Sequence, residues 1–152
     1  MKLAEALHQR ADLQKRIAQL KQRLLDNAKV QEGEVPAEDP QELLAELERE
    51  SGELETLIRR INHTNCGVKH EGESLTALLA RRDAMALRAS VLRDFLAAAS
   101  QKVDRFSHTE IRIQSAVPVK KLRAQADGLS KELRELDVRL QGLNWTVDLL
   151  EE

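Results

Sequence analysis

Hydrophobic residues recur at alternating steps of three and four along most of the chain, which is the spacing of a buried stripe on an α-helix. The first such stripe contains Leu3, Ala6, Leu13, Ile17, Leu20 and Leu24, with Arg10 on the same side. Equivalent stripes predict four helices, at about residues 2–27, 40–64, 75–103 and 119–150. The fourth keeps its leucine spacing for more than three heptads, which is typical of a coiled coil.

The second helix has the clearest start signal in the chain. Asp39 is suited to the N-cap, Pro40 fits the first helical position, and Glu42 completes an Asp-x-x-Glu capping pattern. Asn65 and Gly67 are suited to the end of that helix. These residues place the helix between a proline-containing connection and a short polar loop.

The third helix carries two apolar stripes. Its main stripe is Leu75, Leu78, Met85, Ala89, Leu92, Leu96 and Ala99. The second stripe is Ala84, Leu87, Val91, Phe95 and Ala98. A helix that is apolar on two faces is usually buried on both sides. The pattern therefore predicts that this helix lies at the centre of the fold.

Short connections between long helices favour antiparallel neighbours. We therefore predict an all-α protein with one domain over residues 1–152, an elongated antiparallel four-helix bundle with coiled-coil packing. Alternating apolar residues at 110–116 interrupt the helical pattern and predict a short strand, which could pair with a second strand near residues 28–32. Such a ribbon is marginal alone and needs packing or another subunit. The alternative is an extended loop over the helix ends.

Composition and charge narrow the class of protein. The formal net charge is −2, so no overall field draws the chain to nucleic acid or to a membrane surface. The single cysteine, Cys66, excludes an internal disulfide framework and is typical of a reducing compartment. Because we find neither an export signal nor an apolar run of membrane-spanning length, we predict a soluble cytoplasmic protein without nucleic-acid or membrane partners.

Few residues are arranged for chemistry. Glu5 and His8 match the Glu-x-x-His spacing of metal-binding bundles, but the chain has no second copy of that motif. Cys66 lies near His63 and His70, without the further ligands of a zinc site. We therefore predict no catalytic residue, no metal ligand and no cofactor. A metal-binding bundle enzyme remains the alternative.

One face of the fourth helix suggests an oligomer contact. Trp145 lies off the main leucine stripe, and Gly142 would permit a close helix approach. With the predicted strand, this face defines a predicted homo-oligomer interface, made of Val138, Gly142, Trp145, Leu149, Ile111 and Ile113. The alternative is that this face packs against another helix of the same chain.

Several segments together resemble the septicolysin-like family of small bacterial proteins. They are "MKLAEAL…RADLQKRIAQL", "NAKVQEGE…PAEDP", "RINHTN", "DRFSHTEI" and "LNWT", and the likeness covers essentially the full length. The resemblance implies an uncharacterised, mostly helical protein with no catalytic residues to carry over, and the family label implies a pore-forming toxin. The residues themselves offer no long amphipathic β-hairpin of the kind that pores use.

These observations favour a non-catalytic, self-associating cytoplasmic protein that acts as a scaffold or binding module. The alternatives are a septicolysin-type pore-forming toxin and a metal-binding bundle enzyme.

Overall fold

The computed structural model describes residues 1–101 and 111–151. In those residues the chain forms four helices, α1 (Leu3–Asp26), α2 (Pro40–Gly67), α3 (Leu75–Ser100) and α4 (Val119–Thr146). Two short strands, β1 (Lys69–His70) and β2 (Glu73–Ser74), lie between α2 and α3. The predicted, mainly helical class is therefore confirmed.

The chain divides into two compact units. The first unit contains Met1–Leu75 and the C-terminal segment from Gln141, and the second unit is Thr76–Leu140. Each unit contains a pair of helices, and each is described separately below. The single domain and the four-helix bundle remain predictions.

In the first unit, α1 and α2 pack side by side in opposite directions. The apolar stripes predicted for both helices supply much of the buried core, which includes Leu3, Leu13, Leu20, Leu43, Leu57 and Ile61. The N-cap prediction is confirmed, because the Asp39 carboxylate accepts a hydrogen bond from the backbone N–H of Gln41 at 2.9 Å, directly before Pro40. Burial of these leucine and isoleucine side chains stabilises the pair.

The connection between α1 and α2 is held by one polar cluster. Asn27 accepts a hydrogen bond from the backbone N–H of Glu38 at 3.0 Å, and its amide donates to the carbonyl of Arg23 at 2.8 Å. The Arg23 guanidinium donates to both carboxylate oxygens of Glu38. That hydrogen bond lowers the pKa of the Glu38 carboxyl and raises the pKa of Arg23. The cluster fixes the entry of the chain into α2.

The strands do not lie where the sequence pattern predicted them. No strand forms at residues 28–32, and residues 111–116, the described part of the second predicted strand, are irregular. Instead, β1 and β2 form an antiparallel hairpin in which His70 pairs with Glu73. Its turn residues, Glu71 and Gly72, both have positive φ (51° and 86°), as a two-residue turn of type I′ requires. The alternation of apolar and polar residues does not reveal turn geometry. The strands form where the turn at Glu71 and Gly72 allows them to pair.

The fourth helix ends earlier than predicted, at Thr146 instead of Leu150. Beyond it the chain runs extended beside the N-terminus, where Leu3 donates to the carbonyl of Val147 at 3.0 Å and Leu149 donates to that of Met1 at 2.9 Å. Lys2 forms an ion pair with Asp148 at 2.7 Å, which lowers the pKa of the Asp148 carboxyl. These contacts hold the two ends of the chain together within the first unit.

The buried hydroxyl of Thr64 completes this closure. It accepts a hydrogen bond from the backbone N–H of Leu150 at 2.9 Å and donates to the carbonyl of Arg60 at 2.8 Å. An added Cβ at Gly67 would lie 3.3 Å from Leu150, so the end of α2 leaves little space beside the C-terminal segment. Thr64, which the apolar pattern did not single out, therefore joins α2 to the chain end.

In the second unit, α3 and α4 run antiparallel. Residues near the start of α3, Arg81 and Met85, line one groove with Glu132 and Arg139 from the second half of α4. Near the end of α3, Leu96 lines another groove with residues from the first half of α4. Leu78 and Leu96 of α3 and Leu129, Leu136 and Leu140 of α4 are buried in this unit. Arg82 of α3 and Asp137 of α4 approach to 4.0 Å.

Candidate interaction surface

The two apolar stripes of α3 have different environments. The main stripe faces α4, and its members Leu78 and Leu96 are buried. The second stripe lies roughly 140° around the helix, given about 100° per residue. Its large side chains are exposed, with Leu87 at 69%, Val91 at 62% and Phe95 at 48% of their accessible surface. The prediction that α3 is buried on both faces is therefore wrong.

These three residues form a continuous apolar ridge, because they are spaced four apart on one helix. Ala84 and Ala98 extend it at either end and are also exposed. Rows of this spacing are the ridges that most often pack into the grooves of another helix in globular proteins. We name Ala84, Leu87, Val91, Phe95 and Ala98 the α3 ridge.

Charged residues border the α3 ridge asymmetrically. Helical geometry places Arg81 and Arg88 about 60–80° to one side, and Asp83 and Asp94 as far to the other. All four residues are exposed. The Asp83 carboxylate accepts a hydrogen bond from Arg82 at 3.0 Å, and its side chain stays 71% exposed. The ridge therefore has one basic edge and one acidic edge.

An open groove of about 630 Å³ runs beside the α3–α4 seam, away from the ridge. Small and polar side chains dominate its lining, which includes Ala86, Ala89, Ala97, Ser100, Ser130 and Asp127. Two further open grooves, of about 660 and 450 Å³, lie in the first unit and share Gln9, Leu13 and Glu53. These shallow surfaces lack the enclosed shape typical of a small-molecule site.

Of the residues predicted to form the oligomer interface, Val138, Gly142 and Trp145 lie on α4 with helical spacing, whereas Leu149 lies beyond its end. Val138 is exposed in the second unit, and Ile111 and Ile113 are exposed in irregular chain. Leu149 is only 8% exposed, because it lies beyond the end of α4 and packs within the first unit. The placement of Leu149 on an outer helix face was therefore wrong.

Trp145 is exposed near the end of α4, as the predicted contact requires. Its ring lies against His8, with centroids 6.2 Å apart and planes inclined by 53°. An added Cβ on Gly142 would meet no atom within 4 Å, so this glycine is open to an approaching helix. The role of these residues in an oligomer remains a prediction.

The candidate metal and nucleophile residues are dispersed. Glu5 accepts a hydrogen bond from the backbone N–H of Lys2 at 2.8 Å, which makes it a capping residue of α1. Cys66 is exposed near the end of α2. Across residues 1–101 and 111–151, no three His, Cys, Asp or Glu side chains come together as a metal site. Nor is any helix there both long enough and apolar enough to cross a membrane.

One buried carboxylate in the first unit has an unsatisfied oxygen. Glu50 is 5% exposed, and its Oε1 lies 3.4 Å from Nε of Arg16. Its Oε2 is buried and has no hydrogen-bond partner in the described residues. Arg16 also approaches Glu53 at 3.9 Å. An ion pair at this position favours one register of α1 and α2, at a cost in desolvation.

Comparison with known proteins assigns the chain to a family. Residues 10–149 match the model of the Family of unknown function (DUF6847), so the chain belongs to that family. It is also similar to a functionally unknown conserved protein from Corynebacterium diphtheriae, known from a crystal structure. The two chains are 42% identical, the match covers 99% of each, and the TM-score is 0.88. No curated protein is similar enough to count as a match.

The family assignment corrects the septicolysin-like resemblance, which was wrong. The matching family and the structural neighbour are both of unknown function, and neither points to septicolysins. The toxin alternative rested on that label and has lost its basis.

The sequence contained the signal for the ridge, although the ridge residues were not singled out as a site. The apolar pattern of the second stripe on α3 predicts a buried face. An apolar stripe indicates that a face avoids water, but not whether the same chain covers it.

Proposed function

We propose that this protein is a non-catalytic helical scaffold that self-associates, and that a second copy of the chain binds to the α3 ridge. The carrying observation is the exposure of Leu87, Val91 and Phe95 along one face of α3. Contiguous exposed apolar surface marks interaction sites more often than isolated apolar residues do. A homo-oligomer built on this face would give α3 the second helical neighbour that its pattern predicts.

The near-neutral chain supports a second copy as the occupant. A formal net charge of −2 creates little overall repulsion between copies. The two edges of the ridge carry charges of opposite sign. The basic edge of one copy can therefore face the acidic edge of a second copy. Coiled-coil packing between the α3 helices of two copies, and with it a four-helix arrangement of two α3–α4 pairs, is part of this proposal.

The size of the surface supports reversible association. From Ala84 to Ala98 the ridge is about 21 Å long, so a face about 10 Å wide offers roughly 200 Å² per copy. Stable interfaces of standard size bury about 800 Å² per partner. We therefore expect weak and reversible association, with a dimer that forms only at high protein concentration.

We also propose that the protein works in the cytoplasm. The support is the single Cys66, which is exposed and in no disulfide, as is usual in a reducing compartment.

Sedimentation velocity over a range of protein concentrations tests self-association. We expect the wild-type mass to rise toward that of a dimer and the Val91→Glu variant to stay monomeric, because the new carboxylate would be desolvated in the contact. Leu25→Glu is the matched control, since Leu25 is 60% exposed but lies outside the ridge. A wild-type protein that remains monomeric at all concentrations would refute the proposal.

Trp145→Glu distinguishes the two candidate surfaces. If it disrupts the dimer and Val91→Glu does not, self-association stands but uses the predicted Trp145 contact instead of the ridge.

A further inference from the structure

We infer that two copies pair through the α3 ridge in parallel, with their α3 helices pointing in the same direction about a twofold axis. This inference rests on the proposed self-association and adds its geometry. It follows from three charged residues at the edges of the ridge: Arg88 on one side, and Asp83 and Asp94 on the other.

The relative direction of two paired helices decides which edges meet. In a parallel twofold pair, the basic edge of each copy faces the acidic edge of the other. In an antiparallel twofold pair, basic faces basic and acidic faces acidic. Opposite charges that face each other across an interface favour association. Like charges that face each other repel and disfavour that arrangement. The charge pattern therefore favours the parallel pair.

Heights along the helix support the same pairing. With about 1.5 Å of rise per residue, the levels of Asp83 in one copy and Arg88 in the second copy differ by about 7.5 Å, which a long arginine side chain can span. Asp83 already accepts a hydrogen bond from Arg82, and its exposed side chain is accessible to a second cation.

The apolar residues are compatible with this arrangement. Val91 of the two copies would meet at the centre, with Leu87 and Phe95 one turn away on either side and Ala84 and Ala98 beyond them. The small alanine side chains allow the helix backbones to approach at the ends of the contact. Because α4 lies roughly 140° around α3 from the ridge, a second copy can bind without displacing it.

Charge reversal tests the parallel pair directly. In the parallel arrangement, Arg88→Glu brings a new carboxylate to the acidic edge of the second copy. We expect the dimer dissociation constant to rise about fivefold to tenfold at low salt, and the difference to shrink as salt screens the charges. In the antiparallel arrangement the same change relieves repulsion between arginines, so tighter association would overturn the inference, as would no effect.

Arg93→Glu is the matched control, because it makes the same charge change on the same helix, on the side that lines the α3–α4 groove. Its dissociation constant should stay within about twofold of wild type. Adding Asp83→Lys to Arg88→Glu should recover part of the lost affinity, because the pair is restored with its signs exchanged. A double variant that is no tighter than Arg88→Glu would count against the parallel pair.

Disulfide trapping gives an independent readout of direction. In a Cys66→Ser background, Ala84→Cys should form a disulfide-linked dimer on mild oxidation, since residue 84 meets its own equivalent only in a parallel pair. In an antiparallel pair, residue 84 meets residue 98, so only the protein carrying both Ala84→Cys and Ala98→Cys would be trapped efficiently. That result would overturn the inference.

The outcomes separate this inference from the proposed function. A dimer that Val91→Glu disrupts but Arg88→Glu strengthens would leave self-association standing and refute the parallel geometry. A wild-type protein that stays monomeric would refute both.

Discussion

The two units of this protein deal with their apolar residues differently. The first unit covers most of its large apolar side chains and fixes its chain ends with directional hydrogen bonds through Lys2, Thr64 and Asp148. Three of its exposed apolar residues, Leu25, Val35 and Leu44, lie on α1, the connection and α2 in turn. In the second unit, by contrast, three large apolar side chains form one exposed ridge.

This difference shows that the same helical periodicity can serve two purposes. Stripes on α1 and α2 meet each other and become core. The main apolar stripe of α3 packs against α4. The second stripe faces away from α4, so a pair of helices cannot bury both stripes. The first unit therefore buries most of its apolar surface within itself, and the second leaves one apolar face of α3 exposed.

Core truncation should show the largest contrast. We expect Ile61→Ala to lower the free energy of unfolding by about 2–5 kcal/mol, because Ile61 is 1% exposed and its loss leaves a cavity. Leu87→Ala, on the ridge, should change it by no more than about 0.5 kcal/mol in dilute protein. Urea unfolding of both variants measures the contrast. Equal costs would mean that the ridge is covered in the folded chain.

Changes to the ion pair between Glu50 and Arg16 should alter the free energy of unfolding by a smaller amount. The two variants should shift it in opposite directions. Glu50→Met removes a buried carboxylate whose Oε2 has no hydrogen-bond partner in the described residues, and we expect it to stabilise the protein by about 1–3 kcal/mol. Arg16→Met leaves the buried carboxylate without its counter-ion and should destabilise by a similar amount. Unfolding midpoints in urea check the signs. A loss of stability in Glu50→Met would show that the ion pair contributes net stability.

Closure of the chain ends should give the smallest effect, visible as a pH dependence. The hydrogen bond from Lys2 lowers the pKa of Asp148, so this carboxylate stabilises the fold above the ordinary aspartate pKa, about 4. The contribution is lost as the pH falls through the lowered pKa of the folded state. Asp148→Asn should therefore be less stable than wild type at neutral pH, with the difference disappearing in acid.

Urea titrations between pH 2 and 7 follow this difference. Asp127→Asn, at an exposed position on α4, is the control and should follow the wild-type curve. A constant gap between Asp148→Asn and wild type at every pH would show that the Lys2 contact does not stabilise the fold through charge.

Local signals in the sequence were sufficient for the helices. Asp39 and Pro40 mark the start of α2 because capping and a fixed φ act within a few residues. The stripe from Leu3 to Leu24 predicts α1 because period and apolar burial are properties of one segment. The site was less accessible to this reasoning, because exposure of Leu87 and Val91 depends on what the rest of the chain leaves uncovered.

Long-range contacts decided the features that the sequence pattern missed. Leucine spacing would continue α4 to Leu150, but pairing of Val147 and Leu149 with the N-terminus ends it at Thr146. Those partners lie at opposite ends of the chain, so no local window contains both. The periodicity of the sequence thus determines which residues avoid water and which elements they form. Tertiary packing alone determines which apolar faces meet within the chain, because burial of a face requires a partner surface that local sequence does not specify.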